Sequence, residues 1–209
     1  MSFQAFFILA TISAIGAFDS VPIPIAKIAA ISVPSLDFDC PKNCILSNVI
    51  ERARKAPLQE RLSLINSAVN QRIQYASDET LYARIDYWAS PNETVAKLAG
   101  DCEDFAILKM ASLLRVGIPR ERMAIVVVQD TKRNLVHAVL SVSTDKGTMI
   151  LDSLHRDVRP DKTILHYQPL FSVNGQGSWL HGKRITTSAT ETPDTLGLSP
   201  AKTVAMIDP

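Results

Sequence analysis

The chain has little net charge, few cysteines and no long hydrophobic run. It carries 22 Lys and Arg residues against 21 Asp and Glu, a formal net charge of +1, and like charges are not gathered into long runs. Nucleic-acid-binding proteins usually present a basic patch, so this balance argues against a nucleic-acid partner. The hydrophobic fraction of 46% is ample for a packed core and argues against a disordered chain. A length of 209 residues suits one domain.

The N-terminus carries a short apolar segment from Ala5 to Phe18. It is too short to span a bilayer but fits the apolar part of a signal peptide, with the small residues Ala14, Gly16 and Ala17 near a cleavage point. We therefore predict a signal peptide over residues 1–20 and an exported mature protein that does not span the membrane. The first four residues contain no Lys or Arg, so a buried N-terminal helix and a misplaced start codon remain alternatives.

The three cysteines fall into a close pair, Cys40 and Cys44, and a single residue, Cys102. A zinc site needs further ligands, and the sequence has no second Cys/His cluster to supply them. We predict a disulfide between Cys40 and Cys44 within an N-terminal extension over residues 21–56, and the alternative is two free thiols in a cytosolic protein. With that pair joined, Cys102 is the one free thiol.

Three helices are predicted within the first 116 residues. Apolar residues recur at helical spacing from Leu58 to Ile73. A second, short helix starts at Ser90, which is followed by Pro91 and Glu93 in a capping box, and we expect Gly100 to end it. A third runs from near Cys102 to Val116, and its apolar character on nearly every side indicates a central buried helix.

The second half of the chain is predicted to form an antiparallel sheet. The apolar, β-branched runs 123–129, 135–143 and 148–152 are joined by turn-like sequences. Further strands are expected within 166–173 and 177–180. Beyond Lys183 the chain is rich in Thr, Ser and Pro without periodicity, so we predict a mobile tail over 184–209. The fold class is therefore α+β, with a Cys-bearing central helix packed on an antiparallel β-sheet.

One cysteine, one histidine and one aspartate stand out within this frame. Cys102 lies at a helix start, His137 in the second predicted strand and Asp152 at the end of the third. A helix N-terminus and a nearby imidazole lower the pKa of a thiol and make it a nucleophile, and a carboxylate orients the imidazole. Each residue alone has a structural explanation: an inert buried thiol, a core histidine, a turn cap. Three other histidines compete for the base but lie in loop-like or terminal contexts: His155, His166 and His181.

Three acidic residues flank the thiol. Asp101, Glu103 and Asp104 would interact favourably with the helix dipole, which is their simplest explanation. However, three carboxylates beside Cys102 oppose thiolate formation. A bound Ca²⁺ removes that penalty, and carboxylate oxygens are the ligands it prefers. The sequence thus indicates a calcium site at these three residues and gives no sign of an organic cofactor.

The local motifs resemble those of the bacterial transglutaminase-like cysteine proteinases. The likeness extends from about Arg61 to Leu180, and its most specific part surrounds the thiol. The motifs are Tyr87-Trp88-Ala89-Ser90-Pro91, Gly100-Asp101-Cys102-Glu103-Asp104-Phe105-Ala106, Gly117-Ile118-Pro119, His137-Ala138-Val139-Leu140 and Leu151-Asp152. The resemblance implies a papain-like, transglutaminase-like core, which we assign to residues 57–183.

The same resemblance carries functional expectations. It implies Cys102 as nucleophile, His137 as general base and acid, and Asp152 as the orienting carboxylate of a cysteine protease. Members of the family are typically exported proteases under calcium control, so a periplasmic location is expected. A large surface adhesin as protein substrate and an inner-membrane regulatory protein are implied as partners. Two alternatives use the same scaffold: transglutaminase-type acyl transfer to an amine, and a non-catalytic binding module.

Overall fold

A computed structural model describes residues 33–174 and 177–181. The predicted signal peptide, the first part of the extension and the predicted tail lie outside the described residues. Five α-helices are present in the described ranges: α1 (Ser47–Arg54), α2 (Leu58–Arg72), α3 (Asp78–Tyr82), α4 (Pro91–Lys97) and α5 (Cys102–Arg115). Two 3₁₀ turns follow, at Arg120–Arg122 and Asp161–Thr163.

The strands form two sheets. A two-stranded parallel sheet pairs β1 (Gln74–Tyr75) with β2 (Ala99–Gly100). The main sheet is antiparallel, in the order β6-β5-β4-β3-β7-β8. Its strands are β3 (Met123–Asp130), β4 (Leu135–Thr144), β5 (Gly147–Leu151), β6 (Arg159–Pro160), β7 (Tyr167–Asn174) and β8 (Gly177–Leu180). The predicted strands and their antiparallel pairing are therefore confirmed, with ends that differ by one or two residues.

The main core lies between α5 and one face of this sheet. Every residue of α5 from Cys102 to Leu113 is buried, which confirms the prediction of a central buried helix. Its side chains pack against alternate residues of the strands, such as Ile125 and Leu140. The opposite face of the sheet carries a smaller cluster, formed by buried residues of β3, β4, β5 and the loop before β7: Val128, Val139, Ile150 and Ile164.

The stretch predicted as an N-terminal extension contributes to the main core. Phe38 and Leu46 are buried within it, and Ile50 of α1 packs there as well. Cys40 and Cys44 are joined in a disulfide. Residues 38–54 are thus packed as part of the same folded body. No helix in the described part of the chain has the length and apolar character needed to cross a membrane.

The end of the short helix α4 differs from the prediction. Its capping box at Ser90 and Glu93 forms as expected. However, the helix ends at Lys97, and Leu98 adopts the left-handed conformation with φ 54°. Gly100 lies instead in β2, where a Cβ atom would come within 2.6 Å of Cβ of Asp104. The absence of a side chain at Gly100 therefore serves close packing against Asp104 and not the helix end.

Candidate active site

Cys102 occupies the first turn of the central helix. The preceding residue, Asp101, has extended backbone angles, so the chain leaves the short strand β2 and enters α5 directly at Cys102. The first N–H groups of a helix have no partner within the helix and carry its positive dipole. The buried thiol of Cys102 consequently lies at the electropositive end of the helix.

His137 and Asp152 meet on neighbouring strands. His137 lies within β4, and Asp152 directly follows β5, which pairs with β4. Nε2 of the imidazole lies 2.7 Å from Oδ1 of Asp152, and both residues are buried. Burial alone would raise the pKa of Asp152, but the hydrogen bond with His137 and the charge of that residue, together with a hydrogen bond from Tyr167, outweigh it and lower that pKa. The carboxylate is therefore ionised wherever the protein is folded near neutral pH.

The thiol lies beside the strand that carries His137. The backbone N–H of Ala138, the next residue along β4, opposes the rise in the pKa of the Cys102 thiol. Since Nε2 of His137 is engaged by Asp152, Nδ1 is the ring nitrogen left for exchange with a thiol. The three residues predicted from the sequence thus lie within one connected region of the fold.

The hydrogen bond donated by the thiol goes to a carboxylate. Cys102 Sγ lies 3.1 Å from Oε2 of Glu103. Burial raises the pKa of the thiol well above its ordinary value, and the negative charges of Glu103 and Asp101 raise it further. Without a compensating charge, the arrangement therefore keeps the thiol protonated.

The three acidic residues predicted from the sequence are buried and crowded. The pKa of Asp101 and that of Glu103 are both raised, chiefly by burial, and the negative charge of Glu103 raises the pKa of Asp101 further. Burial also raises the pKa of Asp104 to about 8, although its Oδ1 accepts a hydrogen bond of 2.8 Å from the N–H of Ala89. Ionising three neighbouring buried carboxyl groups without a cation beside them is electrostatically unfavourable.

Two further carboxylates, which the sequence analysis did not identify, complete the cluster. Carboxylate oxygens of Asp78, Asp101 and Asp104 lie within 4.8 Å of one another, as do those of Asp78, Asp86 and Glu103. Asp78 is buried at the start of α3, and Asp86 is exposed in the following loop. Burial raises the pKa of Asp78 to about 6, with a further contribution from Asp86.

The donor set fits a calcium ion. Within the described residues, four buried carboxylate oxygens have no hydrogen-bond partner: Oδ1 of Asp78, Oδ1 of Asp101, Oε1 of Glu103 and Oδ2 of Asp104. Buried polar atoms normally have a hydrogen-bond partner, so four unpartnered carboxylate oxygens in one cluster indicate a site for a cation. Ca²⁺ takes six to eight oxygen ligands, and the two groups of three carboxylates, which share Asp78, offer the hard donors it prefers.

A family model described as bacterial transglutaminase-like cysteine proteinase matches residues 38–184. No curated protein sequence matches the chain. Among solved structures, EGTA-treated Legionella pneumophila LapG is 32% identical, with 74% of this chain and 88% of that chain covered and a TM-score of 0.60. Calcium-bound Legionella pneumophila LapG is 31% identical, with 76% and 93% covered and a TM-score of 0.60. These matches confirm the predicted papain-like, transglutaminase-like fold.

Proposed function

Because this chain belongs to the bacterial transglutaminase-like cysteine proteinases and is a cysteine endopeptidase of that class, we propose that Cys102, His137 and Asp152 are its catalytic triad. The reaction is hydrolysis of a peptide bond through a thioester acyl-enzyme. The observation that carries the proposal is the buried hydrogen bond of 2.7 Å between His137 and Asp152 beside the thiol-bearing helix start.

The first half of the reaction forms the acyl-enzyme. His137 takes the thiol proton on Nδ1, and the Cys102 sulfur attacks the carbonyl carbon of the scissile bond. The N–H of Cys102, at the helix start, donates to the oxyanion that forms. The protonated imidazole then gives its proton to the leaving amine, and the C–N bond breaks. Asp152 holds the ring in place and stabilises its positive charge.

The second half of the reaction returns the enzyme to its starting state. His137, neutral again, takes a proton from a water molecule whose oxygen attacks the thioester carbonyl carbon. The bond to sulfur breaks, the acid product leaves, and the proton on the imidazole returns to Cys102. The N–H of Ala138, which lowers the pKa of the thiol, favours the thiolate in both halves.

Calcium control follows from the carboxylates around the thiol. The ligands we propose are Asp101, Glu103 and Asp104, together with Asp78 and Asp86. A bound Ca²⁺ would supply positive charge that offsets these carboxylates. With its charge offset in this way, Glu103 would hold the thiol proton less strongly through Oε2. The pKa of Cys102 would then be lower, and the thiol would be available to His137.

The location and partners are proposed from the family resemblance. We propose a periplasmic protease whose protein substrate is a large surface adhesin, and whose activity is limited by an inner-membrane regulatory protein. A disulfide between Cys40 and Cys44 is in keeping with an oxidising compartment. Cys102 is then the one free cysteine, as a thiol enzyme requires.

Proteolysis by a Cys102→Ala variant tests the proposal. Cleavage of unfolded protein substrates in saturating calcium should disappear in this variant and persist in Ser112→Ala, a similar small deletion at a buried position of the same helix. Undiminished cleavage by Cys102→Ala would refute the mechanism. A parallel incubation with a glutamine-bearing protein and a labelled amine separates hydrolysis from transfer, because incorporation without cleavage would favour the transglutaminase reaction.

A further inference from the structure

Tyr167 contacts two members of the proposed triad. Its hydroxyl donates to Oδ2 of Asp152 at 2.6 Å. The other oxygen, Oδ1, lies 2.7 Å from Nε2 of His137 and accepts a hydrogen bond of 2.8 Å from the N–H of Leu154. The tyrosine ring also lies edge-on to the imidazole, with the ring centroids 6.0 Å apart. Both oxygens of the carboxylate are therefore held, and Tyr167 holds the one that His137 does not.

A β-bulge in β7 directs Tyr167 to this position. Two consecutive residues of β3 pair with Phe171 and Pro169, so Leu170 is an extra residue in its strand. Phe171 and Leu170 both pack into the main core, whereas Tyr167 packs against the cluster on the opposite face of the sheet. Side chains alternate along a regular strand, so residues 171, 169 and 167 would otherwise share the face toward α5. The bulge reverses the alternation, as bulges beside active sites often do.

We propose that Tyr167 is a positioning residue for the hydrolytic reaction, which fixes the Asp152 carboxylate and through it the ring of His137. The inference rests on the proposed function. A carboxylate held at one oxygen can rotate about its own axis and carry the imidazole with it, whereas one held at both oxygens cannot. Short O–H···O⁻ hydrogen bonds are among the strongest in proteins.

The tyrosine keeps its proton in this setting. Burial raises the pKa of Tyr167, and the negative charge of Asp152 and the hydrogen bond to it raise that pKa further. The hydroxyl is therefore a permanent donor at the pH values where a folded protease works. It plays no part in proton transfer; its hydroxyl holds the Asp152 carboxylate in place and favours its ionised form.

The perturbation is Tyr167→Phe, which keeps the ring and removes only the donor. We expect kcat to fall about ten- to hundredfold, as for the loss of a hydrogen bond to a charged group, and KM to stay near its original value. The matched control is Tyr87→Phe. It removes a hydroxyl that donates at 2.9 Å to a different carboxylate, Glu93 of the capping box.

Two measurements that need no substrate accompany the kinetics. The first is the rate of Cys102 alkylation by iodoacetamide in saturating calcium. It is compared for Tyr167→Phe, for Asp152→Asn and for the double variant that carries both changes. The second is the downfield proton resonance of Nε2 of His137. If Tyr167 acts through Asp152, Tyr167→Phe slows alkylation and shifts that resonance in the parent protein. In the Asp152→Asn background the same substitution causes no further change in either measurement. Tyr87→Phe should match the parent protein in both measurements.

The outcomes separate this inference from the function on which it rests. A Tyr167→Phe variant that matches the parent protein, while His137→Ala is alkylated slowly, overturns the role of Tyr167 and leaves the triad standing. An equal loss from Tyr167→Phe with and without Asp152→Asn also overturns it, since the effect would then be structural. Parent-like alkylation of His137→Ala would overturn the triad, and with it this inference.

Discussion

Replacement of Asp78 by Asn should stabilise the protein without calcium and reduce the stabilisation that calcium provides. Asp78 is the buried member of the carboxylate cluster that lies farthest from the thiol in sequence. Asn keeps the shape and one oxygen of the side chain but cannot carry a negative charge. In the cation-free protein this removes a source of repulsion, whereas in calcium it removes a ligand charge.

The expected size follows from the pKa of Asp78. Burial raises that pKa from 3.8 to about 6, so ionising the group in the folded, cation-free protein costs about 3 kcal/mol. A carboxyl whose folded-state pKa is raised lowers stability as pH increases, because the folded state binds the proton more tightly. The penalty is absent below pH 3.8 and complete above about pH 6. Asp78→Asn should therefore gain up to about 3 kcal/mol near pH 8 in EGTA.

In calcium the advantage of the same variant over the parent protein should shrink. A ligand that binds only the folded state adds RT ln(1 + [L]/Kd) to the free energy of unfolding. If the lost charge weakens calcium binding about tenfold, the calcium-induced gain shrinks by about 1.4 kcal/mol. Urea unfolding is the suitable assay, because guanidinium would screen the charges under study.

Glu79→Gln is the matched control. Glu79 also lies in the first turn of α3 but is exposed, so it shares the helix dipole without the burial. Its replacement should have a small effect, the same in EGTA and in calcium. The reasoning is refuted if Asp78→Asn is destabilising by equal amounts in both conditions, or if the calcium-induced gain is unchanged.

Two further predictions concern buried residues near the site. Gly100→Ala should weaken calcium binding, measured by calorimetric titration, because its Cβ would displace the side chain of Asp104; unchanged affinity would show that Asp104 is not a ligand. Lys109→Met should stabilise the protein, because Lys109 is fully buried and its Nζ has no hydrogen-bond partner among the described residues. Burial lowers the pKa of Lys109 from 10.5 to about 7, so the gain should approach about 5 kcal/mol below pH 7 and vanish as pH rises toward 10.5. A gain that does not depend on pH would contradict this origin.

The residues that local patterns could identify were those within regular elements. Cys102 at a helix start, and His137 and Asp152 at adjacent antiparallel strands, follow from periodicity and turn residues, and the structure joins His137 to Asp152 by a hydrogen bond. The helix end at Leu98 was missed, since a non-glycine residue in the left-handed conformation carries no sequence signal there.

Longer-range features of the site were beyond local patterns. Asp78 and Asp86 reach the cluster because β1 pairs with β2, and this pairing brings the chain before α3 beside the start of α5. A two-residue strand pairing cannot be recognised from composition. Tyr167 was missed because the bulge at Leu170 reverses which face it occupies, and a regular alternation would have assigned it to the opposite side. The role of Gly100 was also missed, because its close contact with Asp104 depends on the packing of β2 against α5 and not on the local sequence.

The most direct test of the central claim is the pH dependence of Cys102 alkylation with calcium and with EGTA. The midpoint of the profile reports thiolate formation, whereas its plateau reports access to the buried sulfur, so the two effects separate. The account predicts a lower midpoint in calcium than in EGTA, and a midpoint for Glu103→Gln in EGTA that lies below that of the parent protein, because Glu103 no longer retains the thiol proton. Superimposable profiles in calcium and EGTA would contradict it.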